Sequence, residues 1–386
     1  MKTKMDPKQW FLRTLAVCLA ALILCAAINV GADPFFYYRW DSDGEGIFFN
    51  QRYQNAGIAR NAEMDTLLLG TSMVSNFRPS YLEQSFGGSA AKITIPDGRF
   101  KEFSQILDTV YRKHSPKRVL FSLDLNILVR DESTLQNELP KYLYDRNPFN
   151  DVQYVFNKDT LLYSIYTLRN KANGEAVPCD DAFTWDKTAG FSTNFVLASY
   201  TRPEKAETEK SRNAFHENVA ANLSHVVAWA EEHPETEFII YIPPYNILYW
   251  DKTAYNGETD AVFGALQQCF ETLLPIENIR LCQFLNFDMV QDCSYYNDYI
   301  HFSGLGAQEV LKAMESGEFD VTEENLVETL RAVRTFQQEY DYEALLAKDP
   351  DYVPPADAES GESAEGSTDE SEEQPEAEDA ASEATE

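Results

Sequence analysis

The chain has 386 residues, of which 44% are hydrophobic and 13% aromatic, enough apolar side chains for one sizeable folded domain. Asp and Glu outnumber Lys and Arg by 63 to 32, and the net charge of −31 argues against nucleic acid as a partner, because phosphate binding needs clustered basic residues. The six cysteines show no zinc-ligand spacing. A disulfide among Cys269, Cys282 and Cys293 stays open if the domain lies outside the cytoplasm.

A basic N-terminus precedes a long apolar segment. Residues 1–13 carry four basic residues against Asp6, and no charged residue occurs from Leu15 to Ala32. This pattern is typical of a membrane anchor or of a signal peptide with a cleavage site at residues 30–32. The length of the run and the aromatic residues at 35–38 favour an uncleaved transmembrane helix over 14–33. The basic bias predicts a single-pass protein of the cell membrane, with residues 1–13 in the cytoplasm and the bulk of the chain extracytoplasmic.

Beyond residue 33, strand and helix patterns alternate. Short apolar runs predict strands at Leu67–Leu69, Ala91–Ile95, Val119–Leu125, Phe238–Ile242 and Ile279–Phe284. Helical patterns occur at Pro79–Ser85, Phe100–Lys113, Pro203–Glu232, Asp260–Leu273 and Gly304–Met314, with one or two further helices within Thr322–Leu346. This alternation predicts an α/β fold with parallel strands, right-handed crossovers and helices on both faces of the sheet.

Two segments depart from the alternation. Residues 131–200 are rich in aromatic and turn residues, with a helical stretch at Leu161–Arg169, and are interpreted as an insertion beside the site that acts as a lid or substrate wall. From Asp349 to the end, the chain has 15 acidic residues and no basic ones. Such a composition cannot bury enough apolar surface to fold, so residues 347–386 are predicted to be a disordered acidic tail. The folded domain is expected to span residues 34–346.

Three residues could form a nucleophile and its base. Ser72 follows a buried apolar run, at the strand end where ligands bind in open α/β sheets. Asp298 and His301 stand three residues apart in a turn before a helix. A serine needs a base to take its proton, and an imidazole needs a partner to orient its second nitrogen. The other interpretation is a capping Asp beside an incidental His.

These residues resemble the first and last blocks of the SGNH hydrolase superfamily, Gly70-Thr71-Ser72 and Asp298-x-x-His301. The chain is more closely similar to membrane-anchored, extracytoplasmic members from Gram-positive bacteria, which include the teichoic-acid D-alanylation protein and relatives of the alginate O-acetylation proteins. The segments IPDGRFKE, NPFNDVQYVFNKD and PPYNILYWD also resemble a Firmicutes group of single-pass SGNH-like proteins. The resemblance covers about Asp33 to Met314 and implies a three-layer α/β/α fold with a flavodoxin-like parallel sheet.

The resemblance also implies roles for individual residues. Ser72 would be the nucleophile, His301 the base and Asp298 its orienting partner, with the backbone N–H groups of Ser72 and Gly98 in an oxyanion hole. The superfamily's Gly-x-Asn-Asp block is absent, and Leu123-Asp124-Leu125-Asn126 stands in its place. Either Asn126 supplies the third donor, or Asp124 only hydrogen-bonds the loop. The first block has Thr71 where Asp is commoner. Both departures leave room for an acyltransferase or an inactive relative.

Four further residues are tentative substrate contacts. Asn76 and Arg78 follow the nucleophile closely, although capping and surface roles fit them equally well. Tyr245 and Trp250 follow a predicted strand end and could stack on a sugar ring, although aromatic residues are more often part of a core. The sequence shows no P-loop, dinucleotide fingerprint or metal cluster, so no cofactor and no metal are expected.

The resulting expectation is an extracytoplasmic serine esterase or O-acyltransferase that acts on a cell-envelope glycan or acylated polymer. A multi-pass membrane acyltransferase is a candidate partner, on the alginate-type resemblance. The alternative is a non-catalytic envelope protein that keeps the fold to bind glycan or a partner protein.

Overall fold

The computed structural model describes residues 6–134, 138–145, 147 and 149–350. Within these ranges the strands are β1 Glu45–Gly46, β2 Thr66–Gly70, β3 Ala90–Thr94, β4 Arg118–Ser122, β5 Val177–Pro178, β6 Glu237–Ile242, β7 Ile279–Gln283 and β8 Asp320–Val321. The helices are α1 Pro7–Ala32, α2 Gln51–Asn61, α3 Pro79–Phe86, α4 Phe100–Val110, α5 Leu125–Leu128, α6 Lys141–Tyr144, α7 Val152–Val155, α8 Lys158–Ala172, α9 Thr193–Ala198, α10 His216–Glu232, α11 Leu248–Tyr255, α12 Thr259–Leu273, α13 Gly304–Ser316, α14 Leu326–Gln338 and α15 Tyr342–Leu346.

The central sheet has the strand order β3-β2-β4-β6-β7-β8. The first five strands are parallel, and β8 adds an antiparallel edge beside β7. Strands β2 and β3 are buried along their whole length, which explains why most of their residues are apolar, with Lys92 as the one charged residue. A separate two-stranded antiparallel pair joins β1 to β5.

The chain reverses direction across the sheet at β2. The connection from β2 through α3 leads to β3 on one side, and the connection through α4 then leads to β4 on the other side of β2. The crevice between the carboxyl ends of β2 and β4 is therefore a topological switch point, where open α/β sheets bind ligands.

Helices pack in two groups that follow from the crossovers. Because right-handed crossovers in opposite directions place their helices on opposite faces, α3 belongs to one face and α4, α10 and α12 to the other. The contacts agree: α4 packs against α10 and α10 against α12, whereas α3 packs against α13. The sheet thus has helices on both faces.

Helix α1 is long and apolar enough to cross a membrane, and a signal sequence near an N-terminus has the same features. It ends at Asp33, whose left-handed backbone turns the chain and whose carboxylate accepts hydrogen bonds from the backbone N–H groups of Tyr37 and Tyr38. The hydroxyl of Tyr154 donates to the same carboxylate at 2.6 Å. This joint attaches α1 to the residues that follow and to α7.

The predicted strands and most predicted helices are confirmed, with ends shifted by a few residues. One helix prediction and one strand prediction need correction. The long helix predicted over Pro203–Glu232 begins only at His216, and the residues before it form a bend at 207–208 and a turn at 212–215. Strand β4 ends at Ser122, and the predicted residues Leu123–Leu125 instead lead into α5, because Asp124 caps that short helix. The predicted acidic tail lies outside the described residues beyond 350.

The described structure also contains elements that the sequence patterns did not predict, α2 and α11 among them. Helix α2 buries Gln54 and Asn55, whose side chains bond to backbone carbonyls of other segments. All six cysteines are free thiols, so no disulfide links Cys269, Cys282 and Cys293 in this structure.

A substitution at Gly57 tests the close packing of α2 against Phe35 and Phe36, which follow α1. A methyl group added at Gly57 would overlap the backbone carbonyl groups of Phe35 and Phe36. We expect Gly57→Ala to lower the free energy of unfolding by about 1–3 kcal/mol, as overpacking does elsewhere. Urea unfolding of the full-length chain in detergent, followed by tryptophan fluorescence, measures it. Gly31→Ala is the matched control, because that helical glycine has nothing within 4 Å of the added methyl group. Equal stability of the two variants would contradict the packing argument.

Candidate active site

Ser72 lies directly beyond the carboxyl end of β2, at the switch point. Gly70 ends the strand in close contact with Val74 and Ser122, and Thr71 caps the short 3-10 turn Ser72–Val74. The Thr94 hydroxyl donates to the Thr71 carbonyl at 2.8 Å, which ties this turn to β3. The side chain of Ser72 is half-buried and therefore accessible to a ligand.

His301 and Asp298 complete a hydrogen-bonded chain with Ser72. The Oγ atom of Ser72 lies 2.8 Å from Nε2 of His301, and Nδ1 of His301 lies 2.7 Å from Oδ2 of Asp298. The residues come from opposite ends of the folded chain, 229 positions apart. The sequence predicted that these residues could meet, and the structure brings all three together in the hydrogen-bonded order Ser72, His301, Asp298.

Asp298 is held by its own turn. Its Oδ1 atom accepts hydrogen bonds from the backbone N–H groups of Ile300 and His301, each at 2.7 Å. Burial acts to raise the pKa of the Asp298 carboxyl, but the hydrogen bonds and charge of His301 and the backbone bonds outweigh it and lower the pKa below its usual value. Asp298 is therefore ionised at neutral pH and suited to hold the Nδ1–H tautomer of His301.

Asp124 joins the strand ends on both sides of the switch point. Its Oδ2 atom accepts a hydrogen bond from the Thr71 hydroxyl at 3.0 Å, and its Oδ1 atom accepts from the Tyr245 hydroxyl at 2.6 Å and from the Asn126 backbone N–H at 2.9 Å. These partners follow β2, β6 and β4. The position of Thr71, next to Ser72, thus depends on a buried carboxylate that the sequence showed only as a loop residue.

Two of the three expected oxyanion donors remain available to donate a hydrogen bond to a ligand oxygen. The Ser72 N–H group and the half-buried side-chain amide of Asn126 have no hydrogen-bond acceptor among the described residues. Gly98 is a correction: its N–H group donates to the Ile95 carbonyl at 2.9 Å and is engaged in that turn. Ser72 and Asn126 follow the neighbouring strands β2 and β4, so both donors stand at the switch point.

The side chains of Asn76 and Arg78 bond to other groups of the protein and do not line a ligand site. Both side chains are buried, which corrects their assignment as substrate contacts. Asn76 donates to the Phe302 carbonyl at 2.9 Å and accepts from the Trp185 backbone N–H at 3.1 Å. Arg78 binds both oxygens of Asp186, at 3.0 and 3.1 Å, and Asp181 at 2.7 Å. Both residues therefore hold the 131–200 segment against the site.

The segment held by Asn76 and Arg78 places the aromatic side chains of Trp185 and Phe191 beside His301. The ring of Trp185 packs at 87° to the ring of His301, with 5.8 Å between their centroids, and Trp185 stacks on Phe191. Sequence reasoning placed this segment near the site but did not single out Trp185. The pairing of Asp181 and Asp186 with a buried Arg78 was not visible in local sequence, because those residues lie more than one hundred positions from it.

Tyr245 and Trp250 do not offer a surface to a sugar. Both side chains are fully buried: Tyr245 stacks on Tyr249 and binds Asp124, and Trp250 stacks on Phe263 of α12. The expectation that they stack on a glycan is therefore wrong for this structure, because no face of either ring reaches solvent. Both belong to the core that supports the strand end after β6.

A second Ser–His–carboxylate chain lies away from the switch point. Ser104 Oγ lies 2.9 Å from Nδ1 of His225, and Nε2 of His225 lies 2.9 Å from Oε1 of Glu132. Ser104 is in the middle of α4, where its own N–H group belongs to the helix, and its hydroxyl also accepts a hydrogen bond from the Trp229 indole. It therefore lacks the free backbone donor of Ser72. Among the described residues, no group of three or more His, Cys, Asp or Glu side chains is placed to hold a metal ion.

Lys92 anchors the turn that follows Ser72. Its side chain on β3 is buried, and Nζ donates to the carbonyls of Ser75 and Phe77 at 2.6 and 2.7 Å. Burial, with a further contribution from the charge of Arg78, lowers the pKa of Lys92 to about 7. A neutral amine has two N–H groups, which match the two carbonyls.

Lys92 predicts a pH dependence of stability. The unfolded chain keeps a usual lysine pKa of about 10.4, so between about pH 7 and 10 the unfolded state binds more protons and the free energy of unfolding rises with pH, by up to about 1 kcal/mol per pH unit. We expect Lys92→Met to lose this rise, and urea unfolding at several pH values measures it. Lys113→Met, at an exposed position, is the matched control and should keep the wild-type slope. A Lys92→Met slope equal to that of the wild type would refute the assignment.

Comparison with known proteins assigns no family to the chain. No protein-family model and no curated protein matches it. Among solved structures, it is similar to a Streptococcus pneumonia protein provisionally described as a platelet activating factor, with 12% identity over 69% of this chain and 90% of that chain and a TM-score of 0.35. A Bacteroides fragilis protein provisionally described as an acylhydrolase has 12% identity over 69% of this chain and 88% of that chain, with a TM-score of 0.31.

Proposed function

We propose that this protein is an SGNH-type serine esterase or O-acyltransferase that acts outside the cytoplasm on a cell-envelope glycan or acylated polymer. One observation carries the proposal: Ser72, His301 and Asp298 form a continuous hydrogen-bonded chain at the switch point of a parallel sheet, with bonds of 2.8 and 2.7 Å. The short sequence blocks that resemble the superfamily are the residues that make this chain.

The geometry supports covalent catalysis by the serine. Ser72 Oγ would attack the acyl carbon of an ester while His301 Nε2 takes its proton, and Asp298 would stabilise the imidazolium that results. The negative charge that develops on the carbonyl oxygen would be bound by the Ser72 N–H group and the Asn126 amide. His301 would return its proton to the leaving alcohol and leave an acyl group on Ser72. A glycan hydroxyl or water, deprotonated by His301, would then release the acyl group.

The aromatic side chain of Trp185 beside His301 bears on whether the acyl group passes to a glycan hydroxyl or to water. Trp185 packs against the imidazole and limits the approach to it from that side. An aromatic face next to the base would hold an acceptor sugar by stacking and would exclude water, which favours transfer. A multi-pass membrane acyltransferase is the partner proposed to supply the acyl group, with α1 as the anchor that brings the two proteins together in one membrane.

The second candidate function is a non-catalytic envelope protein that binds glycan or a partner protein. It is favoured by the engagement of the Gly98 N–H group with Ile95, which leaves two oxyanion donors where the resemblance implies three. Serine reactivity separates the two candidates, because a binding protein needs no activated hydroxyl.

The first prediction from the proposal concerns a fluorophosphonate probe, which reacts with activated serines. We expect the full-length chain in detergent to be labelled, and Ser72→Ala to abolish labelling. His301→Ala should lower the labelling rate by roughly 10²–10⁴-fold, the usual contribution of a general base. Gel fluorescence and mass spectrometry of the modified peptide provide the measurement.

Ser104 provides the matched control, because it forms a similar series of hydrogen bonds through His225 to Glu132. Ser104→Ala should be labelled as fast as the wild type. Labelling that survives in Ser72→Ala would refute Ser72 as the nucleophile, and a folded wild type that is not labelled would favour the binding protein.

The second prediction uses Asp298→Asn. The Asn carbonyl oxygen can still accept the bonds from Ile300 and His301, so the turn should persist. The Asn amide, however, would donate to Nδ1 of His301 and place the proton on Nε2, where it faces Ser72. We expect turnover of p-nitrophenyl acetate to fall by roughly 10⁴-fold, as this exchange does in a serine protease triad.

The pH dependence of Asp298→Asn adds a second readout. Because the pKa of Asp298 is lowered on folding, its contribution to stability is fully present above the usual carboxyl pKa of about 3.9 and is lost as pH falls through the lower folded value. The wild type should therefore lose this stability in acid, and the variant should not.

Activity of Asp298→Asn within a few-fold of the wild type would exclude the triad.

A further inference from the structure

The polarity of helix α8 is the reverse of that expected for a helix on a soluble protein. Its buried residues are Thr160, Ser164, Thr167 and Asn170, which are small or polar. Its exposed positions include Leu162, Ile165 and Leu168, at 48%, 52% and 48% exposure. A helix at a protein–water boundary buries its apolar face and exposes its polar one. This arrangement is typical of a helix whose outer surroundings are apolar.

The buried polar face of α8 contacts α1. The Ser164 hydroxyl donates to Oδ1 of Asn29 at 3.0 Å, and Nδ2 of Asn29 donates to the Val155 carbonyl of α7 at 2.9 Å. Asn29 is fully buried by these contacts, near the C-terminal end of α1. Small residues that permit close approach and polar side chains that bond between helices are the means by which helices associate in membranes.

The exposed apolar face continues beyond α8. Phe149, Val152 and Phe156 are 88%, 51% and 47% exposed, and α7 packs against α1 as α8 does. On α1 itself, Leu22, Ile23 and Leu24 are exposed close to these contacts. These exposed apolar side chains lie on α8, on and beside α7, and on α1, and both α7 and α8 pack against α1. We call this set the apolar collar: Phe149, Val152, Phe156, Leu162, Ile165 and Leu168 beside Leu22, Ile23 and Leu24.

The length and the ends of α8 indicate how deep the collar lies. Fifteen residues of helix span about 22 Å, too short to cross a hydrocarbon core of about 30 Å. Lys158 and Asp159 begin the helix, and Arg169 and Lys171 lie in its last turn, so charged groups stand at both ends. Long basic side chains at helix ends reach the lipid headgroups. Contact with Asn29 places the collar at the end of α1 that leads into the globular domain.

We propose that the apolar collar is a second membrane contact, inserted among the acyl chains of the outer leaflet beside α1. The occupant is lipid, because the collar is continuous with the exposed apolar surface of α1 and carries basic side chains at its edge. The inference rests on the membrane anchoring stated under the proposed function. Two contacts, joined by Asp33 and Asn29, would hold the α/β domain in one orientation to the bilayer and set the height of the Ser72 site above it.

The test is photolabelling by a lipid. The full-length chain is reconstituted as the only protein in vesicles of phosphatidylcholine and phosphatidylglycerol that contain a lipid with a diazirine in its acyl chain. After irradiation, modified peptides are mapped by mass spectrometry. We expect peptides from α1 and from residues 158–172 to carry the label several-fold above peptides that contain Leu305 or Val327. Those residues are the matched controls, since they are 68% and 65% exposed but lie on α13 and α14.

A variant separates the collar from the anchor. Leu162→Gln, Ile165→Gln and Leu168→Gln together alter only exposed side chains, so the thermal unfolding midpoint in detergent should stay near that of the wild type. Labelling of α8 should fall to the level of the Leu305 peptide while labelling of α1 persists.

The outcomes distinguish this inference from the proposed anchoring. Label on α1 without label on α8 in the wild type would overturn the collar alone. Absence of label on both helices would overturn the collar and the anchor together. Label on α8 that persists in the triple variant would also overturn the collar, because it would not depend on the apolar side chains.

Discussion

The carboxylate of Asp124 accepts hydrogen bonds from residues that follow three neighbouring strands, and the geometry of the candidate site depends on it. Thr71, Asn126 and Tyr245 converge on this buried group, which is only 6% exposed. A buried carboxylate is costly unless its oxygens are bonded, so the three strand ends can separate only at a considerable cost in free energy. Ser72, the proposed nucleophile, and Asn126, the proposed oxyanion donor, therefore occupy fixed positions on either side of the switch point.

A second buried ionic group, Arg78 with its two aspartates, determines what surrounds Ser72 and His301. Arg78 binds Asp181 and Asp186 and, together with Asn76, holds the inserted segment so that Trp185 lies against His301. Loss of one partner would leave a buried charge unpaired, which typically costs 3–5 kcal/mol. Asn76 and Arg78 were first considered as substrate contacts. In the structure they instead position Trp185 beside His301.

Much of the fold and part of the site could be predicted from local sequence. The central strands are largely buried, so most of their residues are apolar, and helices such as α4 and α12 show their buried face as a 3.6-residue pattern. Helix α2 was not predicted, because it buries the polar side chains of Gln54 and Asn55. Part of α8 was predicted, as the helical stretch Leu161–Arg169, but its exposed leucine and isoleucine side chains reverse the polarity that a periodicity argument assumes.

The sequence by itself determined the alternation of strands and helices, the apolar N-terminal helix and the candidacy of Ser72, Asp298 and His301, because each is encoded by residues close together in the chain or by a short motif. Only the tertiary structure decided which distant groups meet. It placed Asp124 between three strand ends, paired Arg78 with two aspartates of the insertion, engaged the Gly98 N–H group elsewhere and buried Tyr245 and Trp250. Those outcomes depend on packing between different elements, some of them more than 100 residues apart, or on the exact path of a turn, and neither leaves a signal in local composition.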